Sequence, residues 1–286
     1  MQAGQRVAIA GMLVSGTLAL IKILAGISGH STAVVADGLE SASDVLASGF
    51  VLFGLSIAAR PADAEHPYGH GRFETLTGLL LGLLLTAGGA LICYGSIRRI
   101  GRPREPLAAF VIWPLILSML AKTGLATVKF RWGRRLASAA LTADAWNDAM
   151  DTLSAFVALV AVGLTLSDPM RFAEADRYGG AVVGLIVVFA GLRVSRETSL
   201  QLMDTMPDEA LIAQIRAAAK TVEGTRGVEK CFARKTGLKY HVDLHLEVDP
   251  EMTVRQSHEL AHKVETRIME LLPWVADVLI HVEPAR

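Results

Sequence analysis

The stretch TLTGLLLGLLLTAGGALICYGSI, Thr75–Ile97, runs for 23 residues without a charged side chain. A helix needs about 20 apolar residues to cross about 30 Å of hydrocarbon, and a stripe on a soluble helix would leave one polar face. This stretch has none, so it reads as a membrane span. Five more blocks qualify: Val7–Gly29, Ala33–Ala59, Leu107–Val128, Ala137–Leu166 and Tyr178–Val194. The first is too long for a signal h-region and lacks a small-x-small cleavage site, so it is expected to be retained. The expected fold class is membrane all-α, six transmembrane helices over residues 1–206, followed by a small α+β tail over 207–286.

Charge is distributed accordingly. The 286-residue chain has 28 basic and 28 acidic residues and is 52% hydrophobic. Residues 207–286 hold 13 acidic and 11 basic side chains, leaving 15 and 17 for the preceding 206. Zero net charge argues against a nucleic-acid binder, and no nucleic-acid partner is expected. Cys93 and Cys231 exclude a disulfide framework and a thiolate zinc cluster. No nucleophile–base arrangement or phosphate-binding loop points to an enzyme or an ATP-driven pump, and no organic cofactor is implied.

An even number of spans puts both termini on one side. With that side cytoplasmic, the inner segments carry Arg6, Arg60, Arg72, Lys129, Arg131, Arg134, Arg135, Arg193 and Arg196, and the outer loops Arg98, Arg99, Arg102, Arg104, Arg171 and Arg177. That bias is weak, and the 80-residue tail, left where it was made, decides for cytoplasmic N- and C-termini. In the tail, Leu211, Ile212, Ile215 and Ala219 have helical spacing over Glu209–Val222. Tyr240, Val242, Leu244, Leu246 and Val248 alternate along a strand, Lys239–Val248. Gly227–Arg234 is its expected partner across a Lys235-Thr236-Gly237 turn, before a helix, Val254–Leu272, and a strand, Asp277–Val282.

The second and fifth spans contain acids, which are costly in a bilayer and mark pathways or sites. Asp37, Glu40 and Asp44 fall on one helical stripe, as do Asp144, Asn147 or Asp148, and Asp151. Facing each other, Glu40, Asp44, Asn147 and Asp151 could surround a divalent cation. The alternative is a water-filled cavity or an interfacial position for these acids. Lys22 and Lys122 also fall within spans, where snorkelling and a buried pair are both open. In the loop after the second span, Asp63, His66 and His70 have metal-ligand chemistry at spacings a turn could gather. The tail holds His241, His245, His258, His262 and His281, five of the eight histidines.

Six spans, two acidic stripes and a His-containing tail resemble the cation diffusion facilitators, across essentially the whole chain. The block of features is similar to the bacterial ferrous-iron/zinc efflux branch. The resemblance implies a homodimer in the plasma (inner) membrane, surrounded by lipid, with a cytoplasmic ferredoxin-like (metallochaperone-like) tail. It implies efflux of zinc, iron or manganese in exchange for protons as counter-substrate. It places transport-site ligands at Glu40, Asp44, Asn147 and Asp151, with Asp148 as runner-up for the fourth and Asp37 and Asp144 behind them. It places a second metal at Asp63, His66 and His70, and a regulatory metal at His245, His258, His281 and Glu283, with Phe232 where relatives can have His. It also implies a charge pair, Arg72 with Asp204, tying membrane part to tail.

One departure bears on the metal. Zinc transporters of the family commonly have a His where Asn147 stands, whereas this site offers only oxygen. Oxygen donors suit manganese or Fe(II), although carboxylates also bind zinc. A metal-gated channel and a metal sensor that no longer transports are the competing readings.

Overall fold

The structure, a computed structural model, describes residues 2–58, 60–103, 105–135, 139–237 and 239–285; within these, the side chains of 2–11, 47, 48, 50–55, 58, 133–135 and 139–144 are left aside. The side chain of Asp144, the residue Arg104 and the expected start of the fifth span at Ala137 lie outside the described set. Six long helices come first: α1 (Gln2–Ser28), α2 (Thr32–Ala58), α3 (Arg72–Arg99), α4 (Ile112–Arg135), α5 (Ala139–Ser167) and α6 (Ala175–Leu202). Their 24 to 29 residues give about 1.5 Å of rise each, enough to cross a bilayer. Among the described residues, Arg72–Arg99, Ala109–Trp132, Ala145–Ser167 and Ala175–Leu202 are both long and apolar enough to span, and Met12–Ser28 is a shorter apolar helix. The three carboxylates of α2 lower its apolar character without shortening it.

Helix ends differ from the apolar blocks. α3 begins at Arg72 and continues through Arg98 and Arg99, because backbone hydrogen bonding does not stop where hydrophobicity does. Glu74 in its first turn and two arginines in its last complement the helix dipole.

The chain forms two compact units, residues 1–50 with 80–194, and residues 51–79 with 195–286. In the first, Ala33, Val34, Val111, Leu115, Ala158, Val162 and Val183 form a fully buried apolar cluster. The start of α2 is tied to α6: the Thr32 amide donates to Asp176 Oδ2 at 2.7 Å and the Ser31 hydroxyl to Asp176 Oδ1 at 2.5 Å. That carboxylate satisfies amides that have no partner inside the helix.

In the second unit, α7 (Glu209–Lys220), β1 (Gly227–Thr236), β2 (Lys239–Val248), α8 (Val254–Leu271) and β3 (Val275–Pro284) make the α+β tail. The sheet order is β1-β2-β3, antiparallel then parallel. The expected alternation holds: Val242, Leu244, Leu246 and Val248 are buried against Ile215 of α7 and Val264 and Ile268 of α8. β1 runs two residues beyond its expected end and pairs Thr236 with Lys239, so the turn is tighter than expected. Gly237 supplies the φ of 64° it needs. Thr253 and Gln256 form a reciprocal capping box at the start of α8.

Candidate metal sites

A buried cluster of charge occupies the interior of the first unit. Glu40 of α2 is 8% exposed, and Asp148 and Asp151 of α5 are 3% and 7% exposed. The Glu40 carboxylate has Asp151, Asp37 and Asp44 within Coulombic reach, and Asp44 approaches Asp151 closely enough to hydrogen-bond. Ser154, one turn beyond Asp151, donates its hydroxyl to Glu40 Oε1 at 2.8 Å, while Glu40 Oε2 is buried without a hydrogen-bond partner among the described residues. Two helices thus bring three of the expected ligands together. Asn147 lies on the exposed face of α5; Asp148, one residue on and rotated by about 100°, enters the cluster instead.

Sequence reasoning singled out Lys22 and Lys122 without naming their partners, and did not place Lys129 in this cluster. Lys122 of α4 ion-pairs with Asp151, lies 3.3 Å from Asp148 Oδ1 and 3.8 Å from Asp44 Oδ2. Lys129, one of the residues assigned to an inner segment, is 4% exposed and 2.5 Å from Asp148 Oδ2. Lys22 of α1 is 1% exposed, 2.8 Å from Asp37, and donates to Ser41 at 2.6 Å and Ser118 at 3.1 Å. Lys22 and Lys122 are therefore buried pairs and do not snorkel. A signal existed: Ser118, Lys122 and Lys129 are spaced by four and seven on one stripe, and the two lysines are the only charged residues between Ile112 and Phe130.

In the loop before α3, ligand atoms of Asp63, His66 and His70 lie within 4.8 Å of one another. Asp63 Oδ1 accepts from the amides of Glu65 and His66 at 3.0 and 2.7 Å. The His66 amide, then that residue's ring, holds the carboxyl below its usual range. His70 is 9% exposed and its Nδ1 is buried without a hydrogen-bond partner among the described residues. The Arg72 guanidinium donates to both oxygens of Asp204 at 2.9 and 3.2 Å.

In the tail, the parallel register sets His245 opposite His281 and Glu247 opposite Glu283. His245 Nδ1 is 2.6 Å from Glu283 Oε1, His281 Nε2 is 3.6 Å from the same oxygen, and the three ligand atoms cluster within 4.8 Å. Hydrogen bonding with Glu229, and next with His245, holds the Glu283 carboxyl below its usual range. His258 is not in this group; it sits on α8 with its ring 4.5 Å from that of His262. Phe232 stands edge-on to His245 at 6.4 Å.

Sequence comparison connects these features. The family described as "Cation efflux transmembrane domain" matches residues 8–203, and "Cation efflux protein, cytoplasmic domain" matches 207–285. The chain belongs to the cation efflux family. It is thus a multi-pass membrane protein of a divalent-metal transporter family, with a cytoplasmic C-terminal domain, and not an enzyme. Metal tolerance protein C1 of Arabidopsis thaliana is 32% identical over 99% of this chain, which spans 63% of that relative's length. Manganese efflux system protein MneP of Bacillus subtilis is 27% identical over 99% of this chain and 97% of its own. MneS of the same organism is 30% identical over 94% and 91%. A solved MamM C-terminal domain in nickel form is 30% identical over 28% of this chain and all of its own, with a TM-score of 0.27. The family matches and the three sequence relatives support the family and do not assign the chain to its ferrous-iron/zinc branch.

Proposed function

We propose that this cation efflux protein is a homodimeric metal/proton antiporter in which Glu40, Asp44 and Asp151 hold the transported ion, with Asp148 favoured over Asn147 as the fourth ligand. The observation that carries this reading is the convergence of buried carboxylates from α2 and α5, with Glu40 Oε2 left unpartnered among the described residues. Buried carboxylates without enough cations are costly, and a divalent ion relieves that cost. Donors limited to oxygen favour manganese or Fe(II) over zinc, and two of the relatives are named manganese efflux proteins. When the ion leaves, protons replace it on the same carboxylates, which couples efflux to proton entry. Asp63, His66 and His70 are proposed as a second metal site. His245, His281 and Glu283, with His258 supplied across a dimer, are proposed as a regulatory one.

The test is uptake into inverted vesicles with Mn, Fe(II), Zn, Co and Cd in competition, with luminal pH followed in parallel. Wild type should take up metal and release protons, preferring Mn or Fe(II), and Asp151→Ala should do neither. Metal movement without proton counterflow would make the protein a channel. Binding without movement would make it a sensor.

A further inference from the structure

The three buried lysines of the charge cluster differ in what holds them. Lys22 has one carboxylate, Asp37, and two serine hydroxyls, Ser41 and Ser118, around its ammonium. Three donors meet three fixed acceptors, so Lys22 is a locked structural cation joining α1, α2 and α4. Lys122 instead donates to carboxylates, Asp148 Oδ1 and Asp151 Oδ2. Its neighbours in the cluster are Asp44 at 3.8 Å, Asp148 at 3.3 Å and Asp151, closer still. Those are carboxylates a transported ion would need, contributed by α2 and α5.

We propose that the Lys122 ammonium sits in the seat of the transported cation, and that a divalent metal enters by displacing it. The inference rests on the proposed transport site and deepens it by naming its competitor. An ammonium is a compact point charge on a flexible four-carbon stem, so it can fill a cation seat and withdraw by rotation about its own side-chain bonds. A divalent ion brings twice the charge to the same oxygens and repels the ammonium at contact distance. Asp148 keeps a second cation, Lys129 at 2.5 Å, so it stays oriented after Lys122 leaves. Between metal ions the tethered cation keeps the carboxylates from repelling one another, and it releases them to an ion of higher charge. It therefore lowers metal affinity while discriminating against monovalent ions, which carry no more charge than the ammonium they must replace.

The experiment uses the full-length protein in detergent or lipid, with Mn2+ as the probe. Wild-type binding that persists unchanged in Asp151→Ala would overturn the transport site itself, independently of Lys122. For the component of Mn2+ binding that Asp151→Ala removes, Lys122→Gln should lower the Kd at least tenfold. An unchanged or raised Kd would show that Lys122 organises the site and does not compete for it. Lys122→Arg, which grips carboxylates bidentately, should raise the Kd at least tenfold, and wild-type affinity in that variant would count against displacement. If the Lys122 variants do not fold, the wild-type protein still decides. Acetylation by acetic anhydride, mapped by mass spectrometry, should rise several-fold at Lys122 when Mn2+ is added and stay constant at Lys22. Constant modification at both lysines would overturn the proposal.

Discussion

At the scale of single residues, Glu283 gives the sharpest contrast between a side chain's place in the sequence and its surroundings. It is one acid near the C-terminal end of the chain, yet the β2–β3 register puts it beside two histidines. Its carboxyl titrates below the ordinary value of 4.5, so the folded form holds its proton less tightly than the unfolded chain. The stability this contributes is present in full above pH 4.5 and is lost as the pH falls through the lowered value. Glu283→Gln should remove that acid-side step, read as hydrogen exchange of the β3 amides between pH 5 and 3. In an Asp151→Ala background, the same substitution should also weaken tail metal binding about tenfold, close to 1.4 kcal/mol. An unchanged affinity would overturn the proposed tail metal site.

At the scale of elements, the long helices and the central strand were legible because each carries a one-dimensional signal. An uncharged run such as Thr75–Ile97 has no soluble alternative, and the alternation of Val242, Leu244, Leu246 and Val248 matches the pleat of a half-buried strand. The partners of Lys22, Lys122 and Lys129 were not legible, because they come from other helices and depend on how those helices are rotated. The sequence left Asn147 and Asp148 both open for the same reason: spacings of four and three both reach Asp151, and only packing separates an exposed Asn147 from a buried Asp148. Helix approach is similarly tertiary. A Cβ on Gly191 of α6 would lie 2.5 Å from the Thr86 amide nitrogen of α3, and backbone cannot yield as a flexible side chain can. Small residues at such crossings let membrane helices pack closely. Gly191→Val should therefore lower Tm by several degrees and reduce the yield of folded protein. Gly163→Ala of α5, with open space around its Cβ, should leave Tm unchanged or slightly higher, as expected for a helical glycine replaced by alanine. Equal effects would show that α3 and α6 do not hold this crossing.

At the scale of the whole molecule, the Arg72–Asp204 pair joins the start of α3 to the segment after α6, and its proposed role is in transport. Arg72 opens α3, Asp204 follows α6, and the two side chains are 52% and 45% exposed. An ion pair so exposed contributes about 0 to 1 kcal/mol, so its value to the fold is small. Its value to orientation need not be, because it fixes the ends of two helices against each other. Asp204 has a φ of 54°, a conformation that asparagine also tolerates, so Asp204→Asn removes the charge without straining the backbone. Asp204→Asn and Arg72→Gln should each lower stability by less than about 1 kcal/mol while slowing metal–proton exchange several-fold. The double variant should be no slower than either single one, because residues acting through one contact are not additive. High salt should slow wild type toward the variants, since screening weakens exposed pairs. Losses that multiply in the double variant, with a wild-type rate indifferent to salt, would reduce the two residues to unrelated surface charges.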